Sequence, residues 1–244
     1  MAAVDDDAVF EAVRALVESG EYLDAIPGLP GLRPEGGGMF KQTGDGVLRR
    51  VYTRGSQAYL EAKRSGVVGP LPPLMPAPAT AVEVAEGILG NPLPLLLRRL
   101  YLEVANGGFG PGYGVLGLRG GHTDDRKMTA VDLLAYLQAP SSTAWPWLPK
   151  GLLPVCHWGC AIYSFVDCSR ADGPMWAWDP NPGPNDERAL FRQPVTLAEW
   201  LRKWVDRRLY QPTLVQDERT GHWRGATDEE IAGWLADLDD DDGR

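Results

Sequence analysis

Between residues 91 and 118 the apolar pattern switches from helical to strand-like spacing. Leu93, Leu96, Leu97, Leu100 and Val104 recur three or four apart, with Arg98, Arg99 and Glu103 on the polar side. Asn91 is the expected N-cap and Pro92 the first helical residue, where a missing N–H loses nothing. Asn106-Gly107 closes the helix, because both residues tolerate a left-handed backbone. After a glycine-rich turn, residues 115–118 read as a buried strand.

Upstream, residues 8–18 predict an amphipathic helix with Val9, Val13, Leu16 and Val17 on one face and Asp5 to Asp7 ahead of its N-terminus. Prolines and glycines argue against regular structure over residues 25–38. Residues 39–42 and 47–52 flank Thr43-Gly44-Asp45-Gly46 as a hairpin, and Ser56 caps a short helix through Arg64. Arg49, Arg50, Arg54, Lys63 and Arg64 make this the most basic stretch, read as a solvated accessory surface. The proline-rich segment 69–78 is read as a linker, which makes residues 1–69 an accessory region.

Thr80 and Glu83 form a capping-box pattern for a helix over residues 81–89. Beyond the polar loop 120–127, residues 129–137 predict a second amphipathic helix. A loop over residues 140–149 carries Trp145 and Trp147 as core plugs or exposed anchors. Strands are expected at 153–156, 161–167 and 175–178, with His157-Trp158-Gly159 as the first turn and 170–174 as the second. Trp176 and Trp178 share one face of their strand, read as core rather than as a protein-binding hot spot. Thr196 and Glu199 box the start of a helix over residues 196–208 whose apolar face holds Leu197, Trp200, Leu201, Trp204 and Val205. Residues 213–216 and 222–224 predict a final hairpin. Thr227 and Glu230 then open a last helix, which ends in a frayed acidic tail.

The order of these elements resembles the SUKH superfamily, which joins bacterial toxin-immunity proteins to fungal regulators of cell-wall assembly. The likeness rests on a short helix, Leu93-Pro94, an apolar helix closing on Asn106-Gly107-Gly108, successive strands ending in Asp167 and Asp179, and a closing amphipathic helix. The resemblance covers residues 79–210 and leaves residues 1–69 and 211–244 outside it. It implies an α+β fold with helices packed on a mostly antiparallel sheet. Strands separated by short turns imply the same class without the family.

Nine tryptophans and 44% apolar residues argue for a folded chain of 244 residues with a sizeable core. No apolar run is long enough to span a bilayer, and the N-terminus is acidic where a signal peptide is basic, so the expected location is cytoplasmic. A net charge of -9 argues against a nucleic-acid partner and fits a basic protein partner. The family likeness makes that partner a cognate toxin, for instance a basic nuclease-like one. The alternative is a regulatory or scaffolding role.

The search for chemistry yields little. The loop 107–114 runs from a helix into a strand, so it presents carbonyls where a phosphate loop presents N–H groups. Cys156, His157 and Cys160 have ligand chemistry but none of the common zinc spacings, and Cys156, Cys160 and Cys168 are read as reduced, structural thiols. No metal, cofactor or catalytic residue is expected. The expected contact surface comprises the loops 120–126 and 170–173 with the acids Asp124, Asp125, Asp167, Asp172 and Asp179.

Overall fold

A computed structural model describes residues 4–29, 40–42, 48–139, 147–183 and 186–241. Helix α1 (Asp6–Glu18) is capped by Asp5, whose carboxylate accepts from Asp7 N. Its Val9, Phe10 and Val13 are buried in the main core. Strands β1 (Ala25–Pro27), β2 (Phe40–Gln42) and β3 (Leu48–Thr53) form a small antiparallel sheet in the order β1-β3-β2. The segment read as irregular thus supplies a strand: Ile26 pairs with Tyr52, whose apolar ring outweighs the local prolines. The expected hairpin turn and Met39 lie outside the described residues. Ser56 caps α2 (Gln57–Arg64) by accepting from Tyr59 N at 3.1 Å. Ile26, Tyr52, Tyr59, Ala62 and Val68 close a second, smaller core.

The proline-rich segment is not a free linker. Leu71 N donates to Gly20 O at 3.0 Å, Pro72 O accepts from the Tyr22 hydroxyl at 2.5 Å, Met75 O accepts from Asn106 N and Ala77 N donates to Tyr101 O, both at 2.7 Å. Leu71 and Leu74 rest on the main core and Ala77 is buried in it. An extended, proline-stiffened chain cannot pair with itself, so its polar groups find partners across the molecule. With α1 in the main core, Pro70 does not separate an accessory region from the rest. Among the described residues the small β1–β3/α2 cluster has a core of its own.

Helix α3 (Ala79–Leu89) starts after Pro78 with no side-chain cap, so Thr80 lies inside the first turn rather than before it. Helix α4 (Leu95–Arg99) begins after Pro94, three residues later than the Asn91 cap predicts, and widens into a π-turn at Leu100–Val104. The wider turn brings Leu100, Tyr101 and Val104 together into the core. At its end the buried Asn106 ties three segments. Its Oδ1 accepts from Leu118 N at 2.8 Å, its carbonyl accepts from His122 N at 3.0 Å, and its N–H holds the strap. Here the backbone crowds so closely that a Cβ on Gly117 would stand 2.3 Å from His122 N. Residues 115–118 are buried but form no strand: they meet the sheet through an isolated Val115–Cys156 bridge and a Leu116 N to Val155 O bond.

Helix α5 (Ala130–Gln138) opens on a capping box between Thr129 and Asp132 and packs on β4 (Leu152–Gly159). With β5 (Ile162–Asp167), β6 (Pro174–Trp178) and β7 (Leu190–Thr196) it forms a four-stranded antiparallel meander, β4-β5-β6-β7. The first turn is Cys160-Ala161, both at positive φ, so His157 to Gly159 belong to the strand. Trp178 is buried against Trp147, the rings 5.0 Å apart, while Trp176 on the same face is only partly covered. Trp145 lies outside the described residues.

Helix α6 (Leu197–Val205), with its Thr196–Glu199 capping box, packs against β6, β7 and α1. Strands β8 (Leu214–Gln216) and β9 (Trp223–Gly225) form the last hairpin. Helix α7 (Asp228–Asp241) opens on Thr227 and Glu230 and continues into the acidic run expected to fray. The fold is α+β, helices on antiparallel sheets.

Candidate functional site

The five predicted acids do not share one surface. Asp125 lies 3.7 Å from His157, which pairs with Tyr163 at the start of β5, whereas Asp167 is the last residue of that strand and Asp172 follows it. Tyr163 and Asp167 are four residue steps apart along the strand, about 13 Å. Asp172 is exposed and paired with Arg170, whose guanidinium lowers the carboxyl pKa; Asp167 accepts from Ser169 N at 2.9 Å.

Two of the five are structural. Asp179, 2% exposed, accepts from Asn181 N at 3.1 Å and through Oδ2 from Leu214 N at 2.9 Å, clasping the C-terminal segment to the end of β6. Asp124, 4% exposed, builds the loop turn: its Oδ1 accepts from Arg126 N at 3.0 Å and Met128 N at 2.9 Å. The strand-end and loop positions that suggested exposure give each carboxylate unpaired backbone N–H groups to satisfy.

The β4–β5 end nevertheless gathers an unusual set of side chains. His157 is stacked between Tyr113 and Tyr163, with ring centroids 5.5 and 4.7 Å away. Tyr113 is placed by the glycine-rich turn: its N–H donates to His157 O at 3.1 Å, and His122 Nε2 donates to its carbonyl at 2.8 Å. Beside the stack lies the Asp124 carboxylate, and Asp125, with 70% of its side chain exposed, stands at the rim. Three atoms there are buried without completing a hydrogen bond: Asp124 Oδ2, His157 Nδ1 and Tyr163 Oη. Buried groups of this kind are rare in folded proteins.

Burial lowers the His157 pKa, with Asp125 and Asp124 opposing, so the ring is neutral at pH 7. Burial pushes the Tyr163 phenol up to about 12. The site therefore holds a protonated phenol, a neutral imidazole and two carboxylates, with Arg126 nearby over the Tyr136 ring at 6.0 Å. Cys156 is on the opposite side of β4, its thiol directed at Pro111 O at 3.3 Å and its pKa raised by burial. Cys160 is exposed at the hairpin tip. The three residues do not converge, and among the described residues no three His, Cys, Asp or Glu side chains are grouped to hold a metal ion. No described helix is long and apolar enough to cross a membrane.

Tyr113 and Tyr163 are the site residues that the sequence reading missed. Once the turn is placed at Cys160-Ala161, the strand register sets Tyr163 opposite His157. Fold and site together describe an α+β protein with an acid-and-aromatic cluster at one end of its main sheet. Comparison with protein-family models, curated proteins and solved structures finds no match.

Proposed function

We propose that the chain is a non-enzymatic protein-binding domain, an immunity protein of the SUKH kind that neutralises a cognate bacterial toxin by occupying its surface. The observation that carries this reading is the Asp124–Asp125–His157–Tyr163 cluster. It offers negative charge, aromatic rings and unused hydrogen-bonding atoms, with the Cys156 thiol turned away. Such groups recognise a partner, whereas attacking one needs an activated nucleophile beside a base. The element order supports it: a helix that ends at Val104, capped by an extended Ala105 just before Asn106-Gly107-Gly108, an antiparallel meander and a boxed amphipathic helix. The net charge of -9 favours a basic toxin.

The test is co-expression with a toxin encoded beside this gene, with binding measured on the purified pair at two salt concentrations. Protection of the cells and an affinity that falls with salt are expected. A bound partner without toxicity favours the regulatory alternative. Catalytic turnover abolished by a single His157 or Cys156 substitution overturns the non-enzyme reading.

A further inference from the structure

The cluster's unsatisfied atoms specify what would complete it. Asp124, His157 and Tyr163 are 4%, 4% and 3% exposed, so each of their unpaired atoms is cut off from bulk water. Asp124 Oδ1 is already used by the loop backbone, which leaves the buried Oδ2, on the carboxylate that the Tyr163 hydroxyl neighbours, as the acceptor without a backbone donor. Asp125 Oδ1 lies 3.7 Å from His157 Nδ1, too far for a hydrogen bond but near enough for both to bond one inserted group. Four atoms able to accept therefore border the His157–Tyr163 stack: a carboxylate oxygen from each of Asp124 and Asp125, an imidazole nitrogen and a phenol oxygen.

We propose that this cluster is a receptor for one guanidinium group, an arginine side chain presented by the protein partner. The inference rests on the protein-binding reading above. A guanidinium carries five N–H donors in a plane, against three on an ammonium, and its flat, weakly hydrated cation suits the edge of an aromatic stack. Two carboxylates give it opposite charge, and buried charge-assisted bonds are the strong ones. The way in passes Asp125 and Tyr113, the two exposed members of the cluster. Arg126 is the cation that faces the cluster from its own loop. It lies over Tyr136 and makes no hydrogen bond to Asp124 Oδ2.

The probe is a capped Gly-Arg-Gly peptide titrated into the full chain, with Gly-Lys-Gly as the comparison, read by the ring resonances of His157 and Tyr163. The arginine peptide shifts both rings, and the lysine peptide does so more weakly. Tyr163→Phe, which removes only the orphan hydroxyl, and Asp125→Asn each weaken the arginine response about tenfold. Arg126→Gln strengthens it by removing a like charge. Rings that do not move, equal responses to lysine and arginine, or responses unchanged by Tyr163→Phe overturn the proposal. Loss of the response in Arg126→Gln assigns Arg126 a supporting role in the site and likewise overturns it as written. A partner protein that binds while leaving His157 unmoved refutes this receptor and leaves the protein-binding function standing.

Discussion

The Trp204 indole donates to Asp24 Oδ1 across 2.9 Å, joining α6 to the residue just before β1. Arg54 locks the junction: its guanidinium lies 5.1 Å over the indole ring and donates to Asp24 Oδ1 at 3.3 Å and to Trp204 O at 3.0 Å. The smaller N-terminal core is therefore bolted to the main one through a buried cation. Trp204→Ala should cost about 3–5 kcal/mol, chiefly through lost packing, with Asp24 left to Arg54 alone. Urea denaturation followed by fluorescence measures it; a loss under 1 kcal/mol would show the junction to be incidental.

Proteolysis probes the strap. A free linker over residues 69–78 would be nicked first, leaving a stable C-terminal fragment. With Leu71, Leu74 and Ala77 on the core and four backbone bonds holding the segment, cleavage there should be slow. A chain that begins at residue 79 should lose its cooperative unfolding transition, because the faces of α4 and α6 that receive Val9, Phe10 and Val13 become wet.

At the Asn106 crossing, Gly117→Ala should destabilise by more than about 2 kcal/mol, since the new Cβ meets backbone at 2.3 and 2.4 Å rather than a movable side chain. Gly87→Ala is the control, with nothing within 4 Å of the added carbon. Calorimetry on the two variants separates them. Equal melting points would contradict the crowding argument.

Charge reversal should split the two loop acids. Asp125→Lys leaves the fold intact, because the side chain is 70% exposed, and weakens a basic partner. Asp124→Lys removes the acceptor for Arg126 N and Met128 N and buries an ammonium, costing about 3 kcal/mol or more. Melting temperature and partner affinity, measured on both variants, should therefore change in different proportions.

Acid should act at Glu230 and His157 among other groups. Arg224 beside Glu230 holds that carboxyl at about 2, below its ordinary 4.5, so the linkage stabilises α7 above pH 4.5 and is lost as pH falls towards 2. Burial lowers the His157 pKa below 6.5, so its contribution is present above pH 6.5 and fades as acid forces a proton onto the ring. His157→Phe should reduce the higher-pH part of the acid dependence, which His122 shares, and Glu230→Gln the lower, which Asp172, Asp186, Asp206 and Asp217 share. Stability against pH for each variant is the measurement, and curves that superimpose on the wild type refute the assignment.

Local chemistry was legible in the chain. Thr196 with Glu199 and Thr227 with Glu230 bind their own backbones three residues away, so two letters suffice. Strand β7 was not, because it is an edge strand interrupted by Pro194 and buries no residue fully. The Cys160-Ala161 turn was hidden by its left-handed, non-glycine residues next to a glycine that looked like the turn. Asp179 looked like a strand-end acid because its decisive partner, Leu214 N, is 35 residues away. The same distance effect hid the candidate site: a polar loop, a glycine turn and two strands contribute to it, and only their register brings His157 against Tyr163.

The strap grips its neighbours through main-chain atoms at Leu71, Pro72, Met75 and Ala77. Its spacing is thereby constrained more tightly than its spelling. Exchanging Pro73 for another extended residue keeps every one of those bonds available. Inserting or deleting a single residue between Pro72 and Met75 slides Ala77 off Tyr101 or Leu71 off Gly20. Related chains should therefore tolerate many residue changes along this segment while holding its length constant, as a ruler does whatever is printed on it.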